Sequence, residues 1–197
     1  MRESVDGSCG SKVRYSHVRK LTHEELTQRR LTSEQASETP RHPVSIVLHD
    51  VRSLYNVGSI FRTCDAFRVD HVYLTGFTPA PPRPEISKTA LGAELVVPHS
   101  YHRSATELID ELRRQGQRIA AAEIAEGSIE ASKLTRADFP LVLIMGNELT
   151  GVPDDLLSRC DMAIEIPMYG TKHSLNVSVA AGVLLSSITA RYLEESA

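Results

Sequence analysis

The sequence predicts an α/β fold, a mostly parallel sheet with helices on both faces. Three observations predict it. Short β-branched apolar runs alternate with helix-period segments from residue 44 onward. The run 141–145 (Leu-Val-Leu-Ile-Met) is apolar at every position, as a parallel strand covered on both faces requires. Two of the runs exit into glycine-bearing turns, at Gly146 and at Gly170. Open α/β sheets bind ligands just beyond such strand ends.

Each element follows in order. Residues 1–43 read as a polar N-terminal arm, with eight Lys/Arg against six Asp/Glu. Thr22 and Glu25 have capping-box spacing, followed by Leu26 and a basic end at Arg29 and Arg30, which predicts one helix. Pro40 and Pro43 close the arm. It is either a solvated tail or an RNA-contacting segment.

Residues 44–197 read as one domain. A strand at 44–48 precedes a helix at 56–68, with Val57, Ile60, Phe61, Cys64 and Phe67 on one face. A strand at 71–77 leads into a loop with prolines at 79, 81, 82 and 84. A weak strand at 94–98, a helix at 104–115 ended by Gly116, and a strand at 118–124 come next. The strand 141–145, a short helix at 153–159, a last strand at 163–167 and a helix at 176–193 complete the chain. That last helix is apolar nearly all round from 177 to 185, so burial is expected, with a second subunit as one way to achieve it.

Composition bounds the function. Hydrophobic residues make up 41% of the chain, enough for a core. Cys9, Cys64 and Cys160 are far apart and form no C-x-x-C pair, so reduced thiols are expected and no metal site. No signal core and no membrane-length apolar run occurs, which predicts a soluble, cytoplasmic protein with no membrane partner. The net charge is −3, and residues beyond 43 carry 14 Lys/Arg against 19 Asp/Glu, so RNA would have to meet local basic patches. With no Trp and 5% aromatic residues, stacking rings are few.

Three stretches carry more polar punctuation than folding needs. In Asn56-Val-Gly-Ser-Ile-Phe-Arg62, Arg62 falls nearly opposite the apolar stripe, and Asn56 fits an N-cap equally well. In Gly146-Asn-Glu148-Leu-Thr-Gly151 a buried strand runs into a glycine-bracketed turn that puts a carboxylate at the lip of the sheet. In Ile166-Pro-Met168-Tyr-Gly170 through Ser174-Leu175-Asn176-Val-Ser178 a strand exit leads to a helix start, where Ser174 and Asn176 suit caps or ligand contacts.

Together these stretches resemble the three signature motifs of the SpoU (TrmH-like) branch of the SPOUT methyltransferases. The matches are N-x-x-x-[IL]-x-R, G-x-E-x-x-G, and I-P-M-x-G followed by S-L-N-V-S, over roughly 44–192. The segment Lys88-Thr-Ala-Leu-Gly-Ala-Glu94 looks like the family's linker between halves.

The resemblance implies a C-terminal deep trefoil knot over about 141–193 and a homodimer. It also implies S-adenosylmethionine as cofactor, held near Gly146, Ile166, Met168 and Leu175. Arg62 would be the central catalytic residue, with Asn56, Glu148, Ser174 and Asn176 around it. The implied reaction is methylation of a ribose 2′-hydroxyl of a structured tRNA or rRNA, without metal. Arg14, Arg19, Lys20, Arg29, Arg30 and Lys172 are candidate phosphate contacts. Two other readings stay open: a non-catalytic RNA-binding or assembly protein, and a knotted methyltransferase acting on a base.

Overall fold

The computed structural model describes residues 19–195. The chain divides into two compact units, residues 1–40 and residues 41–197.

In the first unit, α1 (His23–Gln28) starts at Thr22 with the expected reciprocal cap. The Thr22 hydroxyl accepts the Glu25 N–H at 3.3 Å, and the Glu25 carboxylate accepts the Thr22 N–H at 2.7 Å. Arg19 donates to the same carboxylate at 2.7 and 2.9 Å. That guanidinium, with the cap behind it, holds Glu25 down to about 2. A second helix, α2 (Ser33–Glu38), repeats the device with Thr32 and Gln35. The one helix expected in the arm is therefore two. The T-x-x-Q spelling at Thr32 carries the same capping signal as the T-x-x-E spelling at Thr22.

The second unit is a seven-stranded sheet covered by helices. Its strands are β1 (Val44–His49), β2 (Val72–Thr75), β3 (His99–His102), β4 (Arg118–Ala122), β5 (Ile129–Glu130), β6 (Leu141–Met145) and β7 (Met162–Glu165). Every pairing is parallel, in the order β3-β2-β1-β6-β4-β7-β5. The helices are α3 (Leu54–Ala66), α4 (Pro84–Ala90), α5 (Ala105–Arg114), α6 (Asp154–Leu157) and α7 (Val177–Glu194).

Strand alternation splits the core in two. Ile46 and Leu48 of β1 and Leu141, Leu143 and Met145 of β6 join Val57, Ile60 and Phe61 of α3 and Leu184 and Leu185 of α7 on one face. Val47, Val142 and Ile144 join Leu108, Ile109 and Leu112 of α5 and Leu156 of α6 on the other. A strand buried on both sides has no position left for a polar residue, which is why 141–145 reads as an unbroken apolar run. Gly58 lets α3 and α4 approach closely, since a Cβ there would lie 2.3 Å from the Ile86 carbonyl oxygen.

Several boundaries differ from expectation, for identifiable reasons. Helix α3 begins at Leu54, capped by Ser53, whose hydroxyl accepts the Asn56 N–H at 3.3 Å. Asn56 is therefore not the cap, and its amide is available for other contacts. The expected strand at 94–98 is a 3₁₀ turn at Ala93–Leu95, and the edge strand is His99–His102. The proline-rich loop ends in α4, with Pro84 in the first helical turn, where its missing N–H costs nothing. The last helix is buried on one side only. Val177, Ala181, Leu184, Leu185 and Ile188 face the core, while Val179 and Val183 are 52% and 41% exposed.

Among the described residues no helix is long and apolar enough to cross a membrane. Among them, too, no cluster of three or more His, Cys, Asp or Glu is placed to hold a metal ion.

Candidate functional site

The carboxyl ends of β4, β6 and β7 lie side by side, and the turns leaving them build the site. After β6 the chain enters the turn 146–151. Asn147 and Gly151 close it with reciprocal backbone bonds of 3.0 and 2.9 Å. The Asn147 side chain accepts the Leu149 N–H at 2.8 Å and donates to the Asp50 carbonyl at 2.9 Å, tying the turn to the end of β1. Glycine is obligatory at 146, since a Cβ would sit 2.1 Å from the Gly151 oxygen and 2.4 Å from the Val152 nitrogen. Gly151 adopts φ +67°, a left-handed conformation that favours glycine. Glu123, just past β4, braces the turn from the other side by accepting the Val152 N–H at 3.1 Å.

Three separated segments then meet in one hydrogen-bonded chain. Asn56 Nδ2 donates to Glu148 Oε1 at 3.1 Å. Asn176 Nδ2 donates to Asn56 Oδ1 at 3.3 Å. Asn176 Oδ1 caps α7 by accepting the Ser178 N–H at 2.9 Å and the Ser178 hydroxyl at 2.7 Å. The other oxygen of Glu148 faces the Arg52 N–H at 3.4 Å. Burial pushes the Glu148 carboxyl up. The bonds from its own backbone, from Asn56 and from the N–H groups of Arg52 and Ser53 outweigh that and hold it below the usual carboxylate range. Glu148 is thus an ionised acceptor that fixes Asn56, and through Asn56 it fixes Asn176.

Behind this network opens a cavity of about 610 Å³, within the range of small-molecule sites. Gly146, Glu148, Ile166, Met168, Ser174 and Leu175 all line it. The carboxylates of Glu123 and Glu165 add polar wall at the ends of β4 and β7. Residues 168–175 form no backbone–backbone hydrogen bond among the described residues, and Met168, His173, Ser174 and Leu175 of this stretch line the cavity, so their N–H and C=O groups are unspent beside it. Apolar side chains next to unspent backbone donors and acceptors suit a flat heteroaromatic ligand of nucleoside size.

Other expected site residues lie elsewhere. Arg62 is exposed on α3, does not line the cavity, and makes no ion pair or side-chain hydrogen bond among the described residues. Lys172 is exposed in the loop before α7. Arg19 is engaged with Glu25, while Lys20, Arg29 and Arg30 are exposed on the first unit. Arg14 lies outside the described residues. Sequence reasoning missed Glu123 and the Arg52 N–H. Both sit just past strand ends, so the rule that ligands gather there was the available signal.

Comparison with known proteins gives the same family of folds. The model of the SpoU rRNA Methylase family matches residues 43–186. The chain is 35% identical over 166 residues to the 23S rRNA (guanosine-2′-O-)-methyltransferase of Pseudomonas putida, covering 84% of this chain and 62% of that protein. The TrmH/SpoU tRNA modifying enzyme of A. aeolicus superposes with a TM-score of 0.74 at 27% identity, over 87% of this chain and 86% of that one. An AdoMet-bound rRNA methyltransferase from Sinorhizobium meliloti superposes with a TM-score of 0.71 at 28% identity, over 77% and 57%. The chain spans 57% and 62% of the length of the first two curated relatives it matches.

Proposed function

Because this chain belongs to the SpoU rRNA methylase family, we propose that it methylates a ribose 2′-hydroxyl of tRNA or rRNA with S-adenosylmethionine. The observation that carries the reading is the Glu148–Asn56–Asn176 chain, which joins all three motif segments at the rim of one nucleoside-sized cavity. The relatives' activities, a 23S rRNA methyltransferase and a tRNA modifying enzyme, support the substrate class.

When bound, S-adenosylmethionine supplies a sulfonium methyl group for in-line displacement. Gly146, Ile166, Met168 and Leu175 are assigned to hold it, along the cavity they line. Asn56, Ser174 and Asn176 orient the target nucleotide, and ionised Glu148 keeps Asn56 in one rotamer. The ribose oxygen forms the new bond to carbon as the carbon–sulfur bond breaks, and the hydroxyl proton leaves to water. A guanidinium holds its proton in proteins, so Arg62 is assigned to stabilise charge developing on that oxygen and to pin the adjacent phosphate.

A homodimer is part of the proposal. Arg62 stands outside its own chain's cavity, which favours its serving the site of a second copy. Val179, Val183 and Leu193 leave apolar surface on α7 for that copy to cover. The family's trefoil knot is assigned to about 141–193, where β6 and β7 each insert between strands already laid down. Cytoplasmic residence is part of the same proposal. The first-unit arginines and lysine, with Lys172, remain the proposed phosphate contacts.

The test is incubation with S-adenosylmethionine and unmodified tRNA and rRNA transcripts, followed by nucleoside mass spectrometry, with Arg62→Ala alongside. A 2′-O-methylnucleoside that vanishes in the variant supports the proposal. A methylated base would move the chemistry to the nucleobase. Cofactor binding with no product on any transcript would favour a binding protein.

A further inference from the structure

The neighbouring half of the sheet edge holds a feature that the proposed reaction does not use. Beyond β2 the chain turns through Gly76, Phe77 and Thr78, and Phe77 is 81% exposed. An exposed phenyl group on a loose loop would be unremarkable, but this turn is fixed at every residue. The Phe77 N–H donates to Asp50 Oδ1 at 2.7 Å. The buried Thr78 hydroxyl accepts the Val51 N–H at 3.1 Å and donates to the Leu48 carbonyl at 2.8 Å. Gly76 has φ +62° and accepts the Tyr101 hydroxyl at 2.8 Å. Tyr101, on β3, is itself 52% exposed.

The same residue that holds this turn holds the site. Asp50 takes the left-handed φ of 55°, uncommon for a non-glycine residue. Its carboxylate anchors Phe77 while its carbonyl accepts Asn147 Nδ2 at 2.9 Å. Two residues on, the Arg52 N–H faces Glu148. The backbone that carries the phenyl group is therefore held in a defined position relative to the motif turn, and the ring itself projects into solvent. Arg52 and Arg103, just past β1 and β3, are exposed and make no ion pair among the described residues. An exposed ring on a fixed backbone, past the strand that lies between those leading to two unpaired cations, matches an unpaired RNA base with its flanking phosphates.

We propose that Phe77 is a stacking platform for an unpaired base of the RNA substrate, with Arg52 and Arg103 on the neighbouring phosphates. The inference rests on the RNA methyltransferase reading and adds a substrate-positioning surface to it. It also answers the low aromatic content: few rings are needed if one is carried on a backbone tied to the site through Asp50.

The chain has no Trp, so Phe77→Trp creates a single fluorescent reporter. It would be titrated with the unmodified tRNA and rRNA transcripts, with a 12-nucleotide oligo(rA), and with a blunt RNA duplex. The expected result is quenching by the transcripts and the single strand but not by the duplex. Phe77→Ala is expected to raise the RNA KM about ten-fold, with cofactor affinity unchanged and Phe77→Tyr restoring the wild-type value. Wild-type methyl transfer with no quenching at saturating transcript overturns this inference alone. Emission that responds to protein concentration instead of RNA overturns it in favour of a second copy covering the ring. A wild-type chain that neither binds nor methylates RNA overturns both readings.

Discussion

Asn56 and Asn176 are 120 residues apart in the chain and meet side chain to side chain at 3.3 Å, with Glu148 on the far side of Asn56. The contact turns three sequence segments into one device. Disturbing Glu148 should therefore be felt at the N-terminus of α7. Glu148→Gln keeps the shape but places an NH₂ group where an oxygen now accepts. Methyl transfer is expected to fall by about 10- to 100-fold through misplacement of the oriented groups. Steady-state kinetics at saturating cofactor checks this, and Asn56→Ala should lose a similar factor without adding to it.

The same carboxylate sets a pH dependence. Its folded pKa lies below the ordinary value of 4.5. A depressed carboxylate contributes stability that is fully present above the unfolded pKa and is lost as pH falls through the folded one. The melting temperature of the wild type, minus that of Glu148→Gln, should be constant from pH 7 to about 5 and should shrink below the ordinary carboxylate range. A difference that stays flat down to pH 3 would refute the role of Glu148 as an ionised acceptor.

Gly146 and Gly170 both belong to signature segments, yet they should respond oppositely. A Cβ at 146 would strike the backbone at Gly151 and Val152, which cannot yield without opening the turn. Gly146→Ala should cost about 1–3 kcal/mol and abolish cofactor binding. A Cβ at 170 meets nothing within 4 Å, so Gly170→Ala should fold as the wild type. Thermal melts and calorimetric cofactor titration separate the two.

The described thiols should be inert in the folded protein. Burial pushes the Cys64 thiol far up, and Cys64 is fully enclosed on the core-facing side of α3. Burial pushes Cys160 up to about 11. Reaction with a chromogenic disulfide at pH 8 should therefore be slow at both and become fast on unfolding. With Cys9→Ser as background, rapid labelling of Cys64 would contradict the packing of α3 on the sheet.

The fold is legible in the sequence where burial is two-sided. The strand 141–145 has no exposed position, so its apolar run fixes both its bounds and its central place. Edge elements are not legible in this way. His99-Ser-Tyr-His102 has no apolar alternation, because an edge strand in this sheet is only half covered. Ser53 and Asn56 are both good caps three residues apart, and only the backbone path decides that Ser53 serves. The site residues show themselves as motif members. Their contacts do not, because the meeting of Asn56, Glu148 and Asn176 is set by strand order and not by spacing.

Strand order also has a consequence for how the chain acquires its shape during synthesis. The partner of β1 on its inner side is β6, whose Leu141 registers with Val44. Until that late strand has left the ribosome, β1 carries a bare parallel edge and the two halves of the sheet have nothing to join them. Contacts of such long sequence separation form slowly. The nascent chain should thus carry an open, adhesive edge from the emergence of β1 until that of β6, and a chaperone that shields strand edges is the cellular helper it is expected to need.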